Sequence, residues 1–597
     1  MLLSSILIMA GMAAASPADT LSAAAITADK GVVVSYTDTV SSVGNVIITD
    51  VLNKLPGVQT NDYGGLAALK NVSIRGLGAA HTAIYLDGVQ VGNVMSGQGD
   101  LGMYSLYDME AVVVDYAQNS LSFSTARPVF AHGNFSAKAA FKGGSFGTYL
   151  PYLSLGYRIS DKVSFSVRGE GVFSKGDFKY GDNLRRENND IRQYRAGIDF
   201  FGRMDRGQWH AKAFWGGADR GTPGALSWPA TDRQKDNNAF VQGTFQKSFS
   251  DLYRLNLSGK ASLDKIEYTS SWGDSRYRQA EAQLNSSHIF SIKEWWQLSL
   301  AASLRYDNLA STSYDASRLG VISALASSFR WKIFSASIAV EYNGFFDKAR
   351  LSRHSFSPSA DLRLTPFEGF DIVAFVRRAD RVPTFNELYY AGYGNPDLKT
   401  EKAWLTDAGF RWKKAAGRAV TINVGADVFY NDLRDKITSA PTPEDPNIWL
   451  PYNIGRVRTL GTDATAAVSY SAGGWVLSAR ARYSFTSARD RTEGSATFGD
   501  QIPYVPRHAL TLSGDASWRN WGVEIVWNCR NGLKDAYAAL PDWNTLDFSL
   551  RKSFNFRNFG PLTLSLTGRN VTSRRYFLVS DYPMPGVAIY GGLEIAF

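Results

Sequence analysis

Apolar and polar residues alternate one by one along most of this chain. Val163, Phe165 and Val167 are interleaved with Ser164, Ser166 and Arg168, and Leu298, Leu300, Ala302 and Leu304 with Ser299, Ala301, Ser303 and Arg305. The pattern returns at Val420, Ile422, Val424, Ala426 and Val428 against Thr421, Asn423, Gly425 and Asp427, and again at Leu562, Leu564 and Leu566 against Thr563, Ser565 and Thr567. A period of two is that of a strand with unlike faces. From Val587 to the terminal Phe597, Ile589, Gly591, Leu593 and Ile595 share one face with Phe597, while Ala588, Tyr590, Gly592, Glu594 and Ala596 take the other. Chain ends normally fray, so a strand running to an aromatic carboxyl terminus predicts that Phe597 is itself paired. A two-sheet sandwich also alternates, but not over more than about 400 residues without a break between cores. The pattern predicts a transmembrane β-barrel with lipid outside and a polar lumen inside.

The first part of the chain reads differently. Ile48, Val51, Leu52 and Leu55 have helical spacing, with Thr49 as a candidate N-cap and Pro56-Gly57 as the stop. A strand is predicted from Val72 to Arg75, and another from Ala83 to Leu86 that leads into Asp87-Gly88, a type I′ hairpin signal. These elements predict a compact mixed α/β module over residues 31–133, followed by the barrel over 134–597. Strands that span a membrane with tilt need about 9 to 11 residues, so this stretch holds about 22 antiparallel strands, the count of transporters with a plugged lumen. Ahead of the module, residues 1–15 are apolar and small and end in Ala13-Ala14-Ala15, a signal peptide h-region with its cleavage site, although the usual basic n-region is absent. Residues 16–30 then form a short leader.

Composition sharpens this picture in three places. The hydrophobic share is 44%, yet mean hydropathy is only −0.20. No apolar run after the N-terminus is long enough for a spanning helix. The 15 Trp and 29 Tyr concentrate near strand ends, at Trp295, Trp296, Trp412, Trp518, Trp521 and Trp527, as interfacial girdles require. Net charge is +9, but the cations are mixed with 55 acids. No basic stripe with stacking aromatics is present, so the charge points to loops facing anionic lipopolysaccharide or solvent, and not to nucleic acid.

Enzyme motifs do not hold up against this frame. Gly143, Ser145 and Gly147 fit G-x-S-x-G, but a strand from Thr148 to Leu155 follows where a nucleophile elbow needs a helix. No histidine pair has H-E-x-x-H spacing and no Cys/His set has zinc spacing, so neither a resident metal nor another cofactor is expected. Cys529 alternates with Val523, Ile525 and Trp527 on an outward face and reads as inert packing.

At this point the residues are similar to the TonB-dependent receptor family, importers of the Gram-negative outer membrane. LNKLPGVQ (52–59), NVSIRGLG (71–78) and AIYLDGVQVG (83–92) resemble its plug elements. DRVPTFNELYYAGYGNPDLKTE (380–401) resembles the segment running from "FRAP" through "NELY" to "NPxLKPE", and QIPYVPRH, GRNVTSRRY and DYPMPGVAIYGGLEIAF resemble the late-barrel boxes. One departure is VVVDYAQNSLSFSTARPVFAHG (112–133), where the family usually carries "R-G-P" and "Y-G".

The resemblance implies active import of a scarce metal chelate or cofactor, of the ferric siderophore or cobalamin class. The energy would come from the protein TonB with its inner-membrane complex, through strand addition to a TonB box. Thr20, Leu21, Ser22, Ala23, Ala24, Ala25, Ile26 and Thr27 are the best-placed box residues, with a disordered leader as the alternative. The resemblance also implies that Arg75 pairs with Asp407 and Asp463 on the inner wall, and the alternation agrees in pointing both aspartates into the lumen. Haem importers of the family tend to carry a histidine between the "FRAP" and "NPxL" boxes. Thr384 to Gly394 has none, which leaves Tyr389, Tyr390 and Tyr393 to ligate, stack or serve as interfacial aromatics. A passive porin and a haem importer remain the alternatives. A signal-transducing receptor would need more chain than lies between Ser16 and the plug, and whether a surface lipoprotein assists is left open.

Overall fold

The computed structural model describes residues 35–41, 44–131, 133–181, 184–271, 273–348, 352–442, 445, 449–535, 538–556 and 560–597. The expected signal peptide and the box residues Thr20 to Thr27 lie outside the described residues. A closed antiparallel barrel of 22 strands begins with Phe135–Gly144 and ends with Ala588–Ala596. The terminal strand pairs with Gly560–Arg569 on one side and with Phe135–Gly144 on the other. Phe597 N donates to Ala137 O at 2.8 Å, and Ala137 N donates to Phe597 O at 2.6 Å. Closure leaves no edge to template aggregation.

Side-chain parity sorts lipid from lumen. Leu300 and Leu304 are exposed on the outer face, whereas Ser299 is buried inside; likewise Ile589, Leu593 and Phe597 face out while Ala588 and Tyr590 face in. One rim has two-residue turns such as 332–333, 368–369 and 473–474; the other carries the long connections 382–400, 491–507 and 570–587. In an outer-membrane barrel the short turns are periplasmic and the long loops extracellular. Trp295, Trp296, Trp412, Trp518 and Trp521 gather toward the short-turn rim, where Trp475 also stacks on Trp518 at 5.6 Å. Trp527 does not belong to the girdle, since it lies well inside Trp521–Asn531.

The lumen is filled by the N-terminal module. Its sheet has the order Ser35–Thr39, Met109–Asp115, Ser120–Thr125, Ala83–Leu86, Val89–Val91, with Ala83–Leu86 parallel to Ser120–Thr125. A hairpin, Val58–Asp62 with Lys70–Ile74, and a short helix α1 (Ile48–Leu52) pack beside it. Ile48, Leu52, Ile74, Val112, Leu121 and Phe123 form its buried core. Asp87 and Gly88 both have positive φ, 50° and 80°, as a type I′ turn demands. The stretch that departs from the family pattern still completes the sheet, because Asn119 at φ 50° turns Met109–Asp115 into Ser120–Thr125.

Two local expectations need correction. The N-cap of α1 is Ile47, and Thr49 lies inside the helix. Asp50 reaches back so that its Oδ2 accepts from the N–H of Val46 at 2.8 Å and of Ile47 at 3.2 Å. A carboxylate in the first turn thus satisfies the free amides, and no cap hydroxyl is needed. Arg75 is not a strand residue either: the strand stops at Ile74, and Arg75 sits at φ 50°. At Ser145 the chain makes a short turn between Phe135–Gly144 and Thr148–Ser160, and the Ser145 hydroxyl accepts from Ile589 N at 2.9 Å.

Candidate functional site

The conformation of Arg75 sends its side chain out of the plug toward the wall. Its Nη1 donates to Asp407 Oδ2 at 2.7 Å and its Nε to Asp463 Oδ2 at 2.8 Å. The guanidinium lies over the rings of Tyr116 and Phe429, 4.0 and 4.3 Å from their centroids. Burial opposes this charge, but Asp463 and Asp407 outweigh it and hold the guanidinium above its ordinary range. Gly57, with φ 65°, makes the approach possible: a Cβ there would stand 2.8 Å from Asp463 Oδ2. Ser484 ties the group together, donating to Asp463 Oδ1 at 2.6 Å and accepting from Gly57 N at 2.9 Å. The "LPGV" and "IRG" elements therefore meet at one carboxylate.

Further ion pairs join plug to wall. Asp38 meets Arg482 at 2.9 Å, Asp50 meets Arg569 at 2.5 Å and Lys54 meets Glu524 at 2.6 Å. On the other side Asp87 meets Lys212 at 2.7 Å, Asp100 meets Arg220 at 2.8 Å and Asp108 meets Arg168 at 3.4 Å. Burial raises the affinity of Asp87 for its proton, yet Lys212, His210 and the Thr125 hydrogen bond outweigh it and hold the carboxyl well below the usual range. His81, in the plug turn Ala79–His81, hydrogen-bonds Glu401 on the wall. Arg381 holds the same carboxylate, with Nη2 2.6 Å from Glu401 Oε1, and also pairs with Glu387. The wall partners of the plug in these pairs, Arg168, Lys212, Arg220, Glu401, Asp407, Asp463, Arg482, Glu524 and Arg569, all lie outside residues 253–381.

Inside that arc lies a cavity of about 350 Å³ between plug and wall. His81, Tyr85 and Asn93 line it from the plug; Arg305, Arg318, Glu341, Arg377 and Arg381 line it from the wall. The volume sits at the small end of the range for ligand pockets. Carboxylates hold the wall arginines in place: Arg318 grips Asp347 through two bonds of 2.6 and 3.0 Å, and Arg305 meets Asp307 at 2.9 Å.

A second helix, α2 (Phe385–Tyr389), begins just after Thr384, a residue of the cavity lining. Thr384 and Glu387 form its capping box, and Phe385 N and Asn386 N donate to Val94 O and Met95 O of the plug at 3.3 and 3.2 Å. Plug and extracellular loop are thus joined by backbone bonds. None of Tyr389, Tyr390 and Tyr393 lines the cavity. The Tyr389 hydroxyl donates to Asp347 at 3.0 Å, and its pKa is pushed up to about 12, chiefly by burial and then by Asp347. Tyr390 packs edge-on against Tyr314, and the Tyr393 hydroxyl bonds the Ser439 hydroxyl at 2.6 Å. Sequence reasoning gave no role to His81, Arg381 or Glu401, although the last two stand inside the segment 380–401 that carried the resemblance.

A polar-lined barrel of 22 strands, filled by its own N-terminal module and girdled by aromatics, is an outer-membrane receptor of the plugged type. Family models agree. The model described as "TonB dependent receptor-like, beta-barrel" matches residues 114–571, and the "TonB-dependent Receptor Plug Domain" matches 27–128. The chain belongs to the TonB-dependent receptor family and resides in the bacterial outer membrane. It is 22% identical over 560 residues to the "Vitamin B12 transporter BtuB" of Vibrio vulnificus (strain YJ016), covering 88% of this chain and 85% of that one. Among solved structures it superposes on the copper transporter OprC with a TM-score of 0.78 at 12% identity, covering 95% and 98% of the two chains. The unliganded ferric citrate transporter FecA gives 0.76 at 15% identity, covering 95% and 97%. These likenesses under 25% establish the fold alone.

Proposed function

We propose that this receptor imports a scarce metal chelate or cofactor, of the ferric siderophore or cobalamin class, across the outer membrane. TonB supplies the work by pairing with the segment Thr20 to Thr27. The observation that carries the reading is the plug itself. It fills the lumen and is held by buried ion pairs, so passage needs an energised rearrangement, which a passive porin does not. Its contact with α2 and the cavity on its extracellular side supply a place where an arriving ligand touches plug and wall together. The transporter names among the relatives point the same way. Arg75, Asp407 and Asp463 serve as the lock that seats the plug.

Mass spectrometry of ligand retained by protein purified from its native membrane tests the substrate class. A ferric chelate or a corrinoid is expected. Uptake that survives collapse of the inner-membrane proton gradient would overturn the energised reading in favour of a porin.

A further inference from the structure

Three neighbouring wall strands, Glu401–Ala416, Val420–Pro441 and Trp449–Ala472, set three aspartates side by side on the lumen face where Arg75 arrives. Register places Asp427 directly opposite Asp463. It also places Asp427 opposite Gly409, two residues from Asp407 on the same face. Like charges directly opposed across strands repel. Gly409 admits the crowding, since a Cβ there would overlap Asp427 Oδ1.

The charges in this trio do not balance. Arg75 serves Asp407 and Asp463, and Arg411 Nη1 donates to Asp427 Oδ1 at 2.9 Å. Three carboxylates against two guanidiniums leave one negative charge over. The other groups packed around them do not offset it. Tyr116 donates its hydroxyl to Pro56 O at 2.8 Å, Ser484 is neutral, and Arg482 on the next strand is engaged by Asp38 at 2.9 Å. The place is also dry, with the Asp407, Asp463 and Asp427 side chains 0, 2 and 7% exposed. Asp407 Oδ1 and Arg75 Nη2 are buried with no hydrogen-bond partner. A buried carboxylate without its own counter-charge is costly and is neutralised in preference to staying ionised.

We propose that the seated plug holds one proton within the Asp407, Asp427 and Asp463 trio, so that seating takes up a proton and release returns it. This rests on the reading of Arg75 as the lock. The proton belongs to the trio as a whole, because carboxylates this close titrate together. When Arg75 withdraws, water enters and the three groups ionise as ordinary carboxylates do, above a pH of about 4. The seated state then binds more protons than the released one, so seating weakens as pH rises. The change is up to about tenfold in the equilibrium per pH unit, until the proton has left the seated trio as well. Asp87 acts below this window and with the opposite sign.

The test is hydrogen exchange of the full chain in mild detergent at pH 5 and pH 7, corrected for the intrinsic chemical rate. The probe is the Gly57 amide, which bonds the wall at Ser484 Oγ over 2.9 Å and is freed when the plug lifts. Its protection in the wild type should fall about tenfold between the two pH values. Asp427→Asn balances the charges and should abolish the fall, whereas His81→Asn, which removes a second titrating contact between plug and wall, should leave it in place. A wild type with equal protection at both pH values overturns the proposal, as does an Asp427→Asn variant that keeps the fall or a His81→Asn variant that loses it. Protection that follows sodium concentration at fixed pH, and not pH, assigns the missing charge to a metal cation and overturns it too. If Asp427→Asn yields no heat-modifiable barrel, Asp407→Asn is read instead, and its protection must be independent of pH. Arg75→Gln tests the lock separately, by lower protection at both pH values, while the proton is judged on the wild type and the aspartate variants alone.

Discussion

Gly57 and Asp463 approach so closely that a methyl group on the glycine would press on the carboxylate that receives Arg75. The plug turn and the wall strand are therefore closely fitted to one another at this pair of residues. Removing one member of a buried pair typically costs about 3 to 5 kcal/mol, because its partner stays desolvated and uncompensated. Arg75→Gln, and the double change Asp407→Asn with Asp463→Asn, should loosen the plug and raise single-channel leak and sensitivity to bulky antibiotics. Gly57→Ala should act in the same direction, since its methyl crowds the Asp463 carboxylate and strains a positive φ. Unchanged conductance in all three variants would refute the lock.

Deleting Phe597, or changing it to Asp, should leave unfolded or degraded protein in the periplasm. The terminal residue exchanges two backbone bonds with Ala137, and its ring packs 6.0 Å from that of Phe135 on the outer face. Wild-type amounts of heat-modifiable barrel from the deletion variant would sink this expectation.

Proline at Ala24 or Ile26 removes a backbone donor and disfavours added-strand pairing. Uptake should fail in both variants while ligand binding at the cell surface survives. Growth on the limiting nutrient unaffected by either proline would place the box elsewhere.

Acid should weaken the plug's hold at Asp87. Its folded pKa lies below the ordinary carboxylate value of about 4, so its contribution to stability is complete above that value and is lost as pH falls toward the folded one. Asp87→Asn should flatten this part of the pH dependence and lower stability at pH 7. Denaturation profiles at neutral and acid pH decide the matter; identical slopes for variant and wild type would count against it.

How much of this was legible beforehand depends on the range of the interaction. Alternation is a local property, so the strands, the closing role of Val587 to Phe597 and the lumen-facing parity of Asp407 and Asp463 could be read from neighbours along the chain. The cap of α1 could not, because an acid three residues on competes with a hydroxyl for the same amides. Nor could the bond of His81 to Glu401, whose partners stand 320 positions apart. The candidate tyrosines 389, 390 and 393 show the same gap: composition marked them as aromatic, but only the folded loop shows two of their hydroxyls engaged by Asp347 and Ser439.

The uneven spread of plug–wall ion pairs gives the blocked lumen a direction. Opening a gap beside Lys212, Arg220, Arg482 or Arg569 separates desolvated charges, each at a cost of several kcal/mol. Along the wall from 253 to 381 those pairs do not lie in the way, and the space already holds the cavity between plug and wall. A shift of the plug on that side therefore separates the fewest of these desolvated charges.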